Sequence, residues 1–206
     1  MTKILYKDKY IVVCVKPKGI LSEGEGKNSL PTLLSESLSE GGTAAKIYTV
    51  HRLDKDTEGI MVFARSERAA AILSEAVAAH KFEKEYIATV CGRPDEDSGK
   101  MEDLLFYDRQ RGKSFVVDRE RKGVKKATLS YELIEYNEKT NTSKVKVLLE
   151  TGRTHQIRVQ FASRGMPLVA DRKYGAPAAE VNEPSLIARR LAFNHPKTNE
   201  RMEFIL

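Results

Sequence analysis

The chain lacks most of the features that mark membrane, secreted and metal-binding proteins. Its 206 residues include two cysteines and no tryptophan, and no segment approaches the roughly 18 consecutive apolar residues that a membrane-spanning helix requires. The opening run, from Met1 to Lys9, is too polar for a signal peptide. We find no internal repeat, low-complexity tract or linker-like stretch. We therefore expect a protein without a membrane segment that works in the cytoplasm.

The two cysteines, Cys14 and Cys91, both lie in apolar runs rich in β-branched residues. Two cysteines so placed fit neither a disulfide framework nor the ligand spacing of a zinc site. A glycine-rich phosphate-binding loop is also missing, which argues against a nucleotide cofactor. We expect reduced thiols in the core, no metal site and no cofactor.

The composition is that of a folded globular protein, with 41% hydrophobic and 31% charged residues. The length suits one well-buried domain and is marginal for two, so we predict a single domain over residues 1–206. The net charge of +6 fits a polyanionic partner, but a surplus of this size also serves solubility alone.

Positive charge is concentrated between Asp108 and Lys126, a segment with eight Lys or Arg and three acidic residues. One interpretation is a solvated β-hairpin with a charged face. The other is a surface that follows the phosphates of a nucleic acid, whose binding would depend strongly on salt. Composition does not decide between the two.

Strand signals are more frequent than helix signals. β-branched runs predict strands at Tyr10–Lys16 and Lys84–Cys91, and alternating runs on either side of the turn Asn137–Asn141 predict a hairpin. A further hairpin arm is predicted at Ser114–Asp118. Because hairpins outnumber strand–helix–strand crossovers, we predict an α+β fold with a mostly antiparallel mixed β-sheet core and flanking helices.

Three helices are predicted from capping residues and apolar periodicity. The first follows Ser29 and ends at Gly41-Gly42, and the second runs from about Glu67 to His80. A third begins at a Thr154 cap and ends at Gly165.

The loop from His51 to Gly59 is the strongest candidate for chemistry. It carries His51, Asp54 and several other charged side chains between two apolar strands, and catalytic residues favour loops held by rigid elements. An ordinary charged turn with a structural histidine is the competing interpretation, and the local pattern leaves both open.

Two other stretches are candidates. Arg153 is expected just ahead of a helix, where its charge would attract an anion such as a phosphate or a carboxylate. Tyr86 stands among apolar residues on a predicted strand. Taken alone, each has an ordinary alternative: a surface ion pair for the arginine, and a core ring with its hydroxyl near solvent for the tyrosine.

Taken in order, the motifs of this chain resemble those of RluA-type RNA pseudouridine synthases. The resemblance rests on segments spread over nearly the whole chain: Lys16-Pro17-Lys18-Gly19, His51-Arg52-Leu53-Asp54 with Thr57 and Gly59, Lys84 to Gly92, Ala127-Thr128 with Tyr131, Gly152 to Arg158, Asp171 to Gly175, and Leu191 to Pro196. Each motif is short, but the ordered set is specific.

The resemblance implies a stand-alone pseudouridine synthase catalytic domain, without the S4-type RNA-binding domain of several members. It further implies an isomerase that turns a uridine of ribosomal large-subunit RNA or transfer RNA into pseudouridine after flipping the base out. It assigns roles to five residues: Asp54 as catalytic carboxylate, Arg52 as the side chain that fills the vacated stack, Tyr86 as the aromatic against the flipped uracil, Arg153 as the cation that keeps Asp54 ionised, and Ile157 as part of an apolar pocket floor.

The chain departs from the family pattern at two places. Glu58 replaces a small residue before Gly59, and Ile187-Ala188 replaces a more usual His-Ala. Neither position is the catalytic carboxylate, and both bear on which RNA is recognised. We expect a monomer, because no unusual apolar stripe remains once the core is assigned.

Two alternative functions remain at this point. One is an RNA-binding protein or RNA chaperone of the same fold without activity. The other is a phosphotransferase, because His51-Arg52-Leu53-Asp54 faintly resembles a kinase catalytic loop. That loop needs Asp directly after Arg, a downstream Asn and an Asp-Phe-Gly triplet, and the sequence has none of these in place.

Overall fold

The computed structural model describes residues 2–39, 43–178 and 184–206. Its residues group into two compact units, Met1–Lys84 with Ala188–Leu206 and Glu85–Ile187. We call them the first and second units and describe each by itself. The organisation of residues 1–206 as one domain stays a prediction.

The first unit is a sheet with two helices. Its strands are β1 (Lys3–Lys7), β2 (Ile11–Lys16), β3 (Tyr48–Thr49), β4 (Glu58–Ala64), the part of β10 (Leu186–Asn194) from Ala188 onward, and β11 (Arg201–Ile205). They lie in the order β1-β2-β4-β10, with β3 paired to β4 and β11 paired to β10. The helices are α1 (Leu30–Ser37) and α2 (Glu67–Ala78).

The core of the first unit forms where α2 contacts the central strands. β2 and β4 pair antiparallel with Val13 opposite Val62, and both strands are buried along nearly their whole length. Leu73 of α2 is fully buried in the same cluster. Strands buried on both faces are rigid, so β4 fixes the end of the loop that precedes it.

Among the described residues, the second unit is an antiparallel sheet with one short α-helix and a 3₁₀ helix at Arg172–Tyr174. Its strands are β5 (Glu83–Cys91, from Glu85 onward), β6 (Ser98–Asp108), β7 (Lys113–Val117), β8 (Val124–Asn137) and β9 (Thr142–Leu149). They lie in the order β5-β9-β8-β6-β7. The helix α3 (Gln156–Ala162) contacts β6 and β7, with Val159 buried beside Leu105 and Ala127.

The predicted elements compare well with the structure. The hairpin around Asn137–Asn141 is confirmed as β8 and β9, and Ser29 and Ser66 cap α1 and α2 as side-chain acceptors. Residues 41 and 42, predicted to end the first helix, lie outside the described residues; α1 itself ends at Ser37. The strand β6 was not predicted, because polar and charged residues interrupt its alternation.

The segment Asp108–Lys126 forms the turn after β6, the strand β7 and the connection into β8. It is thus a hairpin with exposed cations, as the simpler interpretation of its charge has it. Arg121 covers the ring of Phe106, with 4.8 Å between the guanidinium carbon and the ring centre. The use of the segment Asp108–Lys126 as a surface that follows RNA phosphates stays a prediction.

Both cysteines carry free thiols; Cys14 is buried and Cys91 is partly buried. Among the described residues, no group of three or more His, Cys, Asp or Glu side chains is placed to hold a metal ion. The longest helix that the structure describes, α2, has 12 residues, so no described helix is long enough to span a membrane.

Candidate active site

The five predicted site residues are divided between the units. Arg52 and Asp54 lie together on one turn of the first unit, whereas Tyr86, Arg153 and Ile157 belong to the second. Each group has its own supports, and the convergence of all five into one site stays a prediction.

The Asp54 turn is closed by its own backbone. The amide of Thr57 donates to the carbonyl of Asp54 over 3.1 Å, and Thr57 itself is buried. Asp54 is half-buried, while Arg52, two residues earlier, is exposed. The turn therefore carries a partly sheltered carboxylate and, two residues earlier, a guanidinium in solvent.

Lys16 stabilises the turn through hydrogen bonds to backbone carbonyl groups. It stands at the end of β2 and is fully buried, and its Nζ donates hydrogen bonds to the carbonyl oxygens of Pro17, Ile20 and Lys55 at 2.9, 2.8 and 2.7 Å. Since Lys55 directly follows Asp54, the ammonium group binds the backbone of the candidate site. A single charged donor that satisfies three carbonyl groups makes this turn hard to displace.

The pKa of Lys16 follows from this position. Burial lowers the pKa of its ammonium to about 8, and the nearby carboxylates of Asp56, Asp54 and Glu58 act in the opposite direction. Removing water penalises the charged form, and neighbouring negative charges favour it. Lys16 was not among the residues predicted for the site; the available signal was a lysine that ends an otherwise apolar strand directly before a proline.

Ser22 holds the turn from the other side. Its hydroxyl donates to the carbonyl of Leu53 at 2.6 Å and accepts from the amide of Leu53 at 3.0 Å. Ser22 and Leu53 are both buried, so these bonds are shielded from water. The residue between Arg52 and Asp54 is therefore fixed at both its backbone polar groups.

His51 is a structural residue. Its Nε2 accepts the amide hydrogen of Val62 at 3.1 Å, and its ring meets that of Phe82 edge to face, with 5.8 Å between centres. Burial, and to a smaller extent the charge of Lys84, hold the pKa of His51 well below its usual range. The imidazole is neutral and faces the core, as the structural interpretation of this histidine predicts.

Gly59 ends the loop at a position where only glycine fits. Its φ is +139°, and a Cβ there would lie 2.3 Å from the carbonyl oxygen of Ala188 on β10. The absence of a side chain lets the backbone of β4 approach that of β10 closely, which fixes where the loop returns to the sheet.

In the second unit, Tyr86 lies on β5 opposite Val147 of β9. Its side chain is buried, with 6% of the residue exposed. Ala88, two residues further, is fully buried, so Tyr86 belongs to the inner face of the strand.

The segment that carries Arg153 is held by Gln156. The side-chain oxygen of Gln156 accepts from the backbone amide of Arg153 at 3.0 Å and from the hydroxyl of Thr151 at 2.8 Å, while its amide nitrogen donates to the carbonyl of Thr128 at 3.1 Å. Arg153 Nε donates to the carbonyl of Lys126 at 3.0 Å. The arginine is thereby tied to β8 through both backbone and side chain.

The predicted cap of the third helix is wrong. The helix begins at Gln156, and its N-cap is His155, which has a left-handed backbone with φ 54°. The carbonyl of Thr154 instead accepts from the hydroxyl of Ser114 at 2.6 Å, and the ring of His155 contacts Tyr174 at 2.9 Å. The left-handed backbone at His155 separates Thr154 from the helix, so Thr154 is not its cap.

Behind the helix lies a buried ion pair. Arg158 reaches Asp171 through Nε at 2.6 Å and Nη2 at 2.8 Å, with both side chains almost fully buried. Its guanidinium also lies over the ring of Tyr174, 5.2 Å from the centre. These contacts anchor the helix that carries Ile157, which is buried with 4% exposed.

Comparisons with known proteins agree on one family. The model of a family described as RNA pseudouridylate synthase matches residues 10–163. An uncharacterized RNA pseudouridine synthase of Bacillus subtilis, YhcT, is 33% identical over 200 residues, which cover 96% of this chain and 65% of that protein. An uncharacterized RNA pseudouridine synthase of Aquifex aeolicus is 36% identical over 216 residues, which cover 98% and 67%.

The dual-specificity RNA pseudouridine synthase RluA of Escherichia coli is 33% identical over 207 residues, which cover 98% of this chain and 90% of that protein. The chain thus spans about two thirds of the length of the first two relatives and most of the third.

Solved structures share the fold. The human RNA pseudouridylate synthase domain containing 4 covers 99% of this chain with a TM-score of 0.79 and 23% identity, over 87% of its own length. The human RNA pseudouridylate synthase domain containing 1 covers 100% with a TM-score of 0.82 and 21% identity, over 83% of its own length. The predicted α+β fold is confirmed.

Proposed function

The chain belongs to the RNA pseudouridylate synthase family of isomerases, and on that premise we propose that it converts uridine to pseudouridine in RNA with Asp54 as its catalytic carboxylate. The observation that carries the proposal is the Asp54 turn itself. Buried donors from Lys16 and Ser22 hold the backbone on both sides of this carboxylate. These supports fix the position of the backbone that carries Asp54, as a catalytic group requires.

The reaction is a rearrangement within one nucleotide. The bond between C1′ and N1 breaks, the uracil turns, and C1′ bonds to C5; the hydrogen leaves C5 and N1 ends protonated. One carboxylate can start this sequence, either as a nucleophile or as a base that removes a sugar proton. Because the base must leave the RNA stack to react, flipping costs a few kcal/mol that protein contacts have to offset.

The other residues supply those contacts. Arg52 is exposed beside Asp54, where its planar guanidinium can occupy the vacated stack and meet phosphate. Tyr86 stacks on the flipped uracil, and Ile157 contributes an apolar surface. Arg153, whose backbone Gln156 holds in place, is proposed as the cationic partner of the Asp54 carboxylate.

The substrate we propose is ribosomal large-subunit RNA or transfer RNA, modified in the cytoplasm by a monomer. Pseudouridine mapping across all RNAs, in cells with and without the gene, identifies the site as the uridine whose modification disappears. Light scattering during gel filtration measures the oligomeric state.

The decisive test compares Asp54→Asn with Asp56→Asn. Both variants remove one negative charge from the same loop, but only the first removes the proposed catalytic group. RNA from cells without the gene is incubated with each protein, and pseudouridine is detected by carbodiimide-dependent primer extension. We expect Asp54→Asn to lose at least about 100-fold in rate, and Asp56→Asn to keep most activity.

Two outcomes would contradict parts of this proposal. Full activity of Asp54→Asn would remove the catalytic role of that residue. Wild-type protein that binds RNA tightly and modifies no uridine would favour the alternative, an inactive RNA-binding protein or RNA chaperone of the same fold.

A further inference from the structure

The guanidinium of Arg52 already holds a carboxylate. Its Nη1 lies 2.5 Å from Oε1 of Glu23, and the two side chains are 57% and 55% exposed. The proposed function places this arginine against RNA. In the free protein, therefore, the carboxylate of Glu23 is paired with the guanidinium that the RNA would have to bind.

Glu23 is positioned by the loop of residues 22–28, which we call the Glu23 loop. Its base is closed where the amide of Leu21 donates to the carbonyl of Asn28 at 2.9 Å and the amide of Leu30 donates to the carbonyl of Leu21 at 2.8 Å. A hydroxyl bond of 2.7 Å from Ser29 to the carbonyl of Gly24 braces its middle. The loop is a built structure and does not depend on the ion pair for its shape.

The same loop is bonded to the candidate site. Ser22, directly before Glu23, exchanges two hydrogen bonds with the backbone of Leu53, directly after Arg52. Ser22 thus binds the backbone of Leu53. Its neighbour Glu23 forms an ion pair with Arg52, the neighbour of Leu53. The contact between Glu23 and Arg52 is a consequence of this register.

The Glu23 loop carries negative charge, the same sign as the phosphates of RNA. Glu23 and Glu25 outnumber Lys27 in a chain whose net charge is +6. Arginine binds carboxylate and phosphate oxygens with the same hydrogen-bonding geometry. A carboxylate and an RNA phosphate therefore compete directly for one guanidinium.

We propose that Glu23 competes with RNA for Arg52 and so lowers the affinity of the site for every RNA that uses this arginine. The proposal rests on the proposed function, since it assumes that Arg52 contacts RNA. An RNA that binds only at Arg52 has to displace Glu23 without making any other favourable contact. An RNA that places a uridine at Asp54 gains further contacts that offset the displacement. The cost of displacing Glu23 falls on every RNA that uses Arg52, so RNAs with few other contacts are the ones that fail to bind.

The expected effect is modest. An exposed ion pair contributes up to about 1 kcal/mol, which corresponds to about a fivefold change in a binding constant. Glu23→Gln should therefore bind RNA about two- to fivefold more tightly at low salt than a variant that only removes a nearby charge. Glu25→Gln is that control, because Glu25 is exposed in the same loop.

The experiment uses the full chain and a fluorescein-labelled stem-loop RNA with uridines in its loop. Fluorescence anisotropy gives the dissociation constant at about 50 and about 200 mM salt, a range over which phosphate contacts weaken strongly. Four proteins are compared: wild type, Glu23→Gln, Glu23→Asp and Glu25→Gln. Glu23→Asp keeps the charge but shortens the side chain. It therefore distinguishes the effect of the direct contact with Arg52 from the effect of the negative charge alone.

Glu23→Gln is expected to bind most tightly, Glu23→Asp to move toward it, and Glu25→Gln to stay close to wild type. In an Arg52→Ala background the difference between Glu23→Gln and Glu25→Gln should vanish, because the group under competition is gone. With RNA that the enzyme modifies, Glu23→Gln should lower KM and leave kcat unchanged.

Equal affinities of Glu23→Gln and Glu25→Gln would overturn the proposal, as would an advantage of Glu23→Gln that survives in the Arg52→Ala background. Weaker binding by Glu23→Gln would also overturn it, because Glu23 would then prepare Arg52 for RNA. Failure of the proposed function has a different signature, a wild-type protein that modifies no uridine.

Discussion

The Nζ atom of Lys16 donates a 2.7 Å hydrogen bond to the carbonyl oxygen of Lys55, 39 residues further along the chain. This bond connects the end of a core strand to the residue that follows Asp54. The position of the carboxylate is therefore set by a buried ammonium group and does not depend on the loop alone.

Replacement of Lys16 by Met should be costly. Three carbonyl oxygens lose a donor, although that of Lys55 keeps the amide of Gly19, and unsatisfied buried polar groups cost about 1–3 kcal/mol each. Relaxation and water entry reduce the sum, so we expect a loss of about 3 kcal/mol in the free energy of unfolding. Urea titration measures this value, and activity on RNA should fall at temperatures where the variant is still folded.

Lys55→Met is the matched control, since the Lys55 side chain is exposed in the same loop and should leave stability within about 0.5 kcal/mol of wild type. A Lys16→Met protein as stable and as active as wild type would mean that the ammonium group does not support the turn.

Gly59→Ala should disrupt the first unit. The new Cβ would lie 2.3 Å from the carbonyl oxygen of Ala188, and the φ of +139° disfavours any side chain. We expect a loss of about 3–5 kcal/mol in the free energy of unfolding, or failure to fold. Gly26→Ala, where nothing lies within 4 Å of the added carbon, should behave like wild type. If the two variants were equally stable, the close approach of β4 and β10 would be refuted.

His51 should make stability depend on pH below neutrality. Its pKa lies well below 6.5 in the folded protein because of burial, whereas in the unfolded chain it titrates near about 6.5. The unfolded state therefore binds more protons below that pH. The stabilising contribution is fully present above about pH 6.5 and declines as the pH falls, by at most about 1.4 kcal/mol per pH unit.

Urea titrations at several pH values between neutrality and pH 5 measure this slope. His51→Gln should be less stable than wild type at neutral pH but show a flatter decline on acidification. His80→Gln, at an exposed position, should keep the wild-type slope. An unchanged slope in His51→Gln would show that other groups cause the acid sensitivity.

The basic hairpin should contribute to RNA affinity by binding phosphates. Lys122 and Lys125 are exposed at the connection into β8. Replacing both by Gln should weaken binding at low salt and lower the slope of log K against log salt by about 0.7–0.9 for each phosphate that the variant no longer neutralises. Lys139→Gln, in the turn between β8 and β9, should change neither. Equal slopes of log K against log salt for all proteins would show that the hairpin is a solvated surface that binds no phosphate.

Much of the fold could be predicted because its signals are local. The caps Ser29 and Ser66 and the turn at Asn137–Asn141 depend on neighbours within a few residues. The third helix shows the limit. Thr154 looked like its cap, but His155, the next residue, has a left-handed backbone with φ 54° and is itself the N-cap. A helix cannot run through that conformation, and neighbouring residue types do not reveal it.

The sequence by itself determined most of the secondary-structure elements, the α+β class and the family, since periodicity, turn chemistry and ordered motifs are properties of the linear chain. Local pattern made Asp54, Tyr86 and Arg153 candidates, but the role of each, and the choice of Arg52 and Ile157, came only through resemblance. The tertiary structure alone decided what holds the turn. Lys16, Ser22 and Glu23 act on residues 29 to 39 positions away. Such contacts depend on how the strands and loops pack, and no local pattern records them.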